Sequence, residues 1–260
     1  MNKIKHSFSV LKNKGIVYVI GRIVKRPKPN LENYDSLKQL LKDKSGIEIG
    51  GPSSIFDKGS LVPIYHIIRS LHGCNFSTKT IWEGSINSGE TFNYYKNRKG
   101  TQYICEASDM KIIPNSMYDF VISSNCLEHV ANPLKALNEW LRIMKQSGTI
   151  LLILPNKDFC FDHNRPITTF SHLLSDFQND TKEDDMTHLD EILKLHDLSM
   201  DLPAGTFEQF KARSLKNFEN RALHQHVFDM VLLRQIFDYL NLNILLTHEG
   251  PMNVIAGRKK

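Results

Sequence analysis

Short apolar runs separated by stretches long enough for a helix or loop are the strongest constraint on what this chain can fold into. Gly46 to Ile49, Leu71 to Phe76, Thr101 to Cys105, Asp119 to Ser123 and Thr149 to Leu154 each read as a strand. Strands spaced this way pair in parallel through right-handed crossovers. Leu61 to Ser70 reads as a helix, and turn residues Pro114, Asn115 and Ser116 precede the fourth run. Leu134, Leu137, Leu141 and Met144 recur at helical spacing, which predicts a helix over Pro133 to Lys145, with Pro133 in its first turn and Gly148 ending it. The nearly all-apolar Thr149 to Leu154 is a strand of the kind buried on both faces.

The rhythm breaks over residues 156–225, which are rich in His, Asp and Glu and hold no clean strand. A long insertion of this kind is either functional or disordered. A helix near Phe228 to Leu240, then Leu242 to Thr247 and Met252 to Gly257, reads as a final helix and a closing β-hairpin.

With 260 residues and 41% hydrophobic content, the chain can bury one full α/β core, so a single domain with elaborations is expected. The apolar stretch Ile16 to Ile20 meets Gly21 and Arg22 at once, well short of the ~20 residues of a membrane span. It is also too short for the core of a secretory signal, which makes the expected location cytoplasmic. Cys74, Cys105, Cys126 and Cys160 form no C-x-x-C pair, so neither a disulfide framework nor a zinc knuckle is expected.

The net charge of +5 is unevenly placed, because residues 1–30 hold Lys3, Lys5, Lys12, Lys14, Arg22, Lys25, Arg26 and Lys28 and no acid. Such an arm, beside Ile16, Val17, Val19, Ile20, Ile23 and Val24, is either a solvated helix or a peripheral contact with an anionic inner-membrane surface or a partner. Nucleic acid is disfavoured, since the arm has few aromatics and the body is not basic. Pro27 and Pro29 close the arm, an amphipathic stretch follows from Leu31 to Asp43, and the fold proper starts near residue 45.

The first strand runs into Ile47-Glu48-Ile49-Gly50-Gly51-Pro52-Ser53-Ser54, where adjacent glycines let the backbone approach a ligand. Further on come Glu106-Ala107, then Tyr118-Asp119-Phe120-Val121-Ile122-Ser123-Ser124-Asn125, Leu127-Glu128-His129-Val130, and Lys145-Gln146-Ser147-Gly148-Thr149. Over about residues 45–156 this ordered set resembles the class I S-adenosylmethionine-dependent methyltransferases of the type 11 kind. Their sequences read D-A, F-D-V-V, L-E-H-V and R-x-L-K-P-G-G.

The resemblance implies a doubly wound, mostly parallel, seven-stranded Rossmann-like sheet with an antiparallel C-terminal hairpin and a lid-like insertion. It divides the chain into the basic arm and helix, 1–44, and a methyltransferase domain, 45–260. S-adenosyl-L-methionine is the implied cofactor. Glu48 would be the acid of the first motif, acting on the methionine amino group directly or through the loop. Gly50, Gly51, Pro52 and Ser53 would form the cofactor loop, with Asn125 after the fourth strand. Glu106 would accept from the adenine amino group beside the Ala107 amide. Two departures stand out. The usual G-x-G-x-G has become Gly50-Gly51-Pro52-Ser53-Ser54, and the acid that usually holds the ribose hydroxyls is replaced by Asn75, with Glu83 as runner-up.

Within the insertion, Phe161 to Thr168, His172, Glu183-Asp184-Asp185, His188, Asn220-Arg221 and His224 to Phe228 resemble a bacterial subfamily associated with surface-polysaccharide and glycan loci. That implies O-methylation of a sugar, glycan or glycolipid precursor. His163 is the expected base or substrate ligand, His129 a second candidate, and Arg165 an acceptor-binding charge. Some related methyltransferases hold a metal with E-x-x-E-H. Here the first acid is Asn125, so no metal is expected, although Glu128 and His129 would be the ligands if one were bound. The competing readings are a non-catalytic module of the same fold that binds a membrane or glycan-assembly partner, and a nicotinamide-dependent dehydrogenase, which the missing G-x-G-x-x-G disfavours.

Overall fold

The computed structural model describes residue 31 and residues 33–260, so the basic arm lies outside the described residues. A short helix α1 (Tyr34–Leu41) turns Leu37 and Leu41 inward before the first strand. Five parallel strands form the body of the sheet: β1 (Ser45–Ile49), β2 (Ser70–Asn75), β6 (Arg98–Ile104), β7 (Tyr118–Ser124) and β8 (Met144–Pro155). Between β2 and β6 lie a small two-stranded sheet of β3 (Lys79–Thr80) and β4 (Gly84–Ser85), and strand β5 (Gly89–Tyr95). Helix α2 (Pro133–Ile143) connects β7 to β8. The segment after β8 folds into α3 (Phe170–Gln178), α4 (Leu189–Leu195), α5 (Phe207–Ser214) and α6 (Asn217–Asn220). Helix α7 (Met230–Tyr239) then leads to β9 (Leu242–His248) and β10 (Met252–Lys259).

The eight-stranded sheet runs β5-β6-β2-β1-β7-β8-β10-β9, with β5 antiparallel to β6 and β10 inserted antiparallel between β8 and β9. Ile47 sits between His72 of β2 and Val121 of β7, which fixes the register at the centre. Successive residues face opposite sides. Ile47, Ile49, Val121, Ile150, Leu152 and Leu154 meet Trp140 of α2 and Leu233, Ile236 and Phe237 of α7 on one side. Leu71, Phe120, Ile122, Leu151 and Ile153 meet Leu37, Leu41, Phe56 and Ile64 on the other. Burial on both faces is why the central strands are apolar throughout.

Three expectations are corrected. The first is the helix over Leu61 to Ser70, which does not form. Instead the Val62 amide bonds to the Ile55 carbonyl, and the Ile64 and Tyr65 amides share the Phe56 carbonyl, so the segment lies as turns across the sheet. Val62, Ile64, Tyr65 and Ile68 are buried there, and Pro63 disfavours helical geometry at the residue before it. The second is the strand count: the sheet has an eighth strand, β5, whose buried Phe92 and Tyr94 alternate with exposed neighbours. The third is that α2 ends at Ile143 and Met144 already opens β8, before Gly148.

Gly100 shows how closely β6 approaches β2, since a Cβ there would lie 1.8 Å from the Leu71 carbonyl oxygen. Backbone cannot yield as a side chain can. Gly100→Ala is expected to cost about 3 kcal/mol, read as a lower urea midpoint. A midpoint equal to the parent's would show that the two strands can separate freely.

Candidate active site at the carboxyl ends of the strands

Ligands of open α/β sheets bind beyond the carboxyl ends of the parallel strands, so that edge is where the sequence-derived candidates should meet. The ends of β1, β2, β6 and β7 are stitched together there. The Gly50 amide bonds to the Cys74 carbonyl at 2.9 Å, the Cys105 amide to the Asn75 carbonyl at 3.1 Å, and the Ser123 hydroxyl to the Ile49 carbonyl at 3.1 Å. Gly50 has φ 84°, a left-handed conformation that costs glycine nothing, and a Cβ there would strike Cys126. A Cβ on Gly51 would lie 2.1 Å from the Glu48 carboxyl carbon. The glycine pair therefore makes room for Cys126 and Glu48 as the loop passes over them.

Glu48 is fully buried and points into the loop. Its Oε2 accepts from the Tyr65 hydroxyl at 2.6 Å and its Oε1 from the Ser53 amide at 2.9 Å. Burial pushes its pKa up to about 8 against these two hydrogen bonds. A carboxyl with both oxygens so engaged shapes the loop from beneath. Of the two modes that the resemblance allowed it, the geometry is that of action through the loop.

A cleft of about 430 Å³ opens above this loop, within the range of small-molecule and cofactor sites. Gly51, Pro52, Ser53 and Asn75 line it, opposite Phe92 and Tyr94 of β5. Asn75 is buried; its Nδ2 donates to the Gly51 carbonyl at 2.9 Å, and its Oδ1 accepts from the Trp82 indole at 3.2 Å. Glu83 also lines the cleft.

Glu106, Ala107 and Asn125 are not among the residues that line this cleft. Asn125 adopts a left-handed conformation, φ 49°, and its amide bonds to the Ile153 carbonyl. The Ala107 carbonyl accepts from the Trp140 indole at 3.0 Å. The Glu106 carboxylate is held at 2.7 Å by Arg221, whose guanidinium also meets Glu183 at 3.1 Å and stacks between Phe76 and Phe218. Burial raises the Glu106 pKa, with the charge of Arg221 opposing it. Arg221 thus latches the insertion to the end of β6. The residue was noticed in the sequence as part of the insertion, but its partner lies 115 residues away, a distance no local pattern encodes.

The expected catalytic residues fall into two groups beyond β7 and β8. His163 sits on the turn after the short 3-10 helix Lys157–Phe159, with its Nε2 2.8 Å from Asp197 Oδ2 and about a third of its side chain exposed. His129 closes the 3-10 helix Leu127–His129, and its Nδ1 bonds to the Leu223 carbonyl at 2.9 Å. Burial and the neighbouring His224 push its pKa down to about 3, so it is neutral at physiological pH.

Arg165 departs from expectation. It is 1% exposed and bonds to Asp162 at 3.1 Å, Glu191 at 2.9 Å and the carbonyls of His224 and Gln225. A guanidinium enclosed this way braces the insertion and offers no face to an acceptor, which corrects its reading as an acceptor-binding charge. The same cluster holds Glu128, 1% exposed with neither carboxylate oxygen hydrogen-bonded, and His224, whose Nδ1 meets Asp162. Burial pushes the Glu128 pKa up to about 7. Burial also works to raise that of Asp162, but His224 and Arg165 outweigh it and hold it near 2.

Against known proteins, a family model described as a methyltransferase domain matches residues 68–152, from the lead-in to β2 through most of β8. No curated protein matches the chain. Solved structures share the fold at low identity. One is a SAM-dependent methyltransferase from Aquifex aeolicus, with 11% identity over 88% of this chain and 90% of that one and a TM-score of 0.44. Another is a possible histamine N-methyltransferase from Thermotoga maritima, with 15% identity over 100% and 96% and a TM-score of 0.44. A third is described as a putative zinc-dependent alcohol dehydrogenase from Rhodobacter sphaeroides, with 12% identity over 98% of both chains and a TM-score of 0.52. Only the third, with a TM-score above 0.5, speaks for the fold, and at 12% identity for the fold alone. The family match, to a methyltransferase domain over about a third of the chain, indicates S-adenosylmethionine as the cofactor. Among the described residues, no helix is long and apolar enough to cross a membrane.

Proposed function

We propose that this protein methylates an oxygen of a sugar, glycan or glycolipid precursor, with S-adenosylmethionine as donor. The observation that carries the methyltransferase reading is the meeting of the 50–53 loop and Asn75 around one cleft at the carboxyl ends of β1 and β2. The sugar-type acceptor rests on the likeness of the insertion to the polysaccharide-associated subfamily.

The residues present fit the donor in part: the cleft has a suitable size, the loop has no side-chain bulk at Gly50 and Gly51, and Asn75 lines the cleft, while Glu106 lies outside it and would have to exchange its Arg221 partner to accept from an exocyclic amine. When bound, the donor supplies an electrophilic methyl on a sulfonium. The chain's part is to align an acceptor hydroxyl in line with that methyl and to take its proton as the O–C bond forms and the C–S bond breaks. His163, oriented by Asp197 and still reachable from solvent, is the base in this reading.

Calorimetric titration with S-adenosylmethionine and S-adenosylhomocysteine tests the donor site. Micromolar binding is expected, weakened about tenfold or more in Glu106→Ala and about fivefold in Asn75→Ala, since a hydrogen bond to a charged group contributes ~1.5–3 kcal/mol and a neutral one ~1. A folded parent that binds neither would overturn the reading in favour of a non-catalytic module of this fold. With binding established, release of S-adenosylhomocysteine across a panel of sugars and glycolipid precursors tests the acceptor. His163→Asn is expected to lower kcat by ~10²–10⁴-fold with cofactor affinity unchanged.

A further inference from the structure

Away from the cofactor edge, the insertion brings three imidazoles and a carboxylate together. His172 and Asp176 lie one turn apart on α3, His188 immediately precedes α4, and His226 lies in the segment leading to α7. Ring nitrogens of the three histidines all lie within 4.8 Å of one another. His172 Nε2 is 3.0 Å from His188 Nε2 and 3.3 Å from Asp176 Oδ2, and His226 Nε2 is 3.8 Å from the same oxygen. Ligands around a tetrahedral zinc, at ~2.0–2.1 Å from the ion, stand about 3.3 Å apart. The His172–His188 and His172–Asp176 separations lie close to that value.

Two buried atoms of the group have no hydrogen-bond partner: Asp176 Oδ2 and His226 Nδ1. Orphaned buried acceptors are costly unless something fills their lone pairs. His226 is 1% exposed, and its Nε2 lies 3.2 Å from the Ala131 carbonyl, the outer contact that typically fixes the tautomer of a metal-bound histidine.

We propose that His172, His188 and His226 bind one divalent transition-metal ion of the zinc type, with the Asp176 carboxylate beside them to balance its charge. Three imidazoles favour such an ion over magnesium or calcium, which take oxygen ligands. The fourth tetrahedral position falls to water or Asp176. The ion ties α3 and the start of α4 to the segment that runs beside the Leu127–His129 turn, where the His226 amide bonds to the Glu128 carbonyl. It therefore pins the insertion onto the sheet.

The test uses the full chain, stripped with chelator, dialysed against zinc and assayed for bound metal, with cobalt substitution reporting coordination through its visible bands. One equivalent with a tetrahedral cobalt spectrum is expected, together with a higher melting temperature in zinc. His188→Ala and His172→Ala, at partly exposed positions, should keep the fold by circular dichroism and lose at least ~100-fold in zinc affinity. Glu128→Gln should keep it, which separates this site from the nearby Glu128, His129 and His224 group. Substoichiometric metal in the parent, binding that survives both histidine variants, or binding lost only in Glu128→Gln would each overturn the proposal.

Discussion

Arg165→Ala is expected to lose ~3–5 kcal/mol of folding stability, because it leaves two buried carbonyls without that donor and Asp162 with His224 as its remaining charged partner. Glu191, about a third exposed, can turn to solvent, whereas Asp162, at 4%, cannot. Chemical denaturation of the parent and variant measures the loss directly. An acceptor-binding arginine would behave otherwise, with stability near that of the parent and KM raised. The two outcomes decide between the bracing role seen in the structure and the role the sequence suggested.

The second large effect concerns Glu128. A carboxyl with a folded pKa near 7 and an ordinary value near 4.5 keeps its proton in the native state after the unfolded chain has released it. Between those values the unfolded state binds fewer protons, so stability falls as pH rises and levels off above 7. The full shift amounts to about 3 kcal/mol. Stability at pH 5 should therefore exceed that at pH 8, and Glu128→Gln should lose its share of that slope. Glu48, raised to about 8 by burial, acts in the same direction and keeps part of the slope in the variant. Buried His129 and His226, held near 3, oppose the slope below about pH 6.5, so the decisive comparison is with the variant: Glu128→Gln keeping the parent's full pH profile would show that Glu128 is ionised and solvated in the native protein.

The sheet was legible where a residue's face alone decides its fate. Gly46 to Ile49, Asp119 to Ser123 and Thr149 to Leu154 are apolar because both faces are covered, and each lies within a strand. The helix over Pro133 to Ile143 was legible for the corresponding reason, with Leu134, Leu137 and Trp140 on one buried stripe. Leu61 to Ser70 misled because its apolar residues do pack inward, but as turns held by the Ile55 and Phe56 carbonyls, and composition cannot tell these geometries apart. β5 carried its signal in Phe92 and Tyr94, diluted by Thr91, Asn93 and Tyr95 in a polar segment.

The candidate site was legible in its residue types and much less in their pairings. Glu48, Asn75 and Glu106 could be placed at strand ends. That Tyr65, Trp82 and Arg221 would engage them depends on contacts across 17, 7 and 115 residues. The fate of Arg165 was hidden for the same reason, since its carbonyl partners belong to residues 224 and 225.

Strand β10 lies between β8 and β9, although it follows both in sequence. During synthesis, Ile150 to Leu154 therefore emerge with one long edge open until residues 156–251 have followed. At ~5–20 residues per second that wait lasts about 5–20 s, long enough for an apolar strand edge to find another nascent chain. The yield of folded protein on overexpression should therefore depend on how long that edge stays shielded.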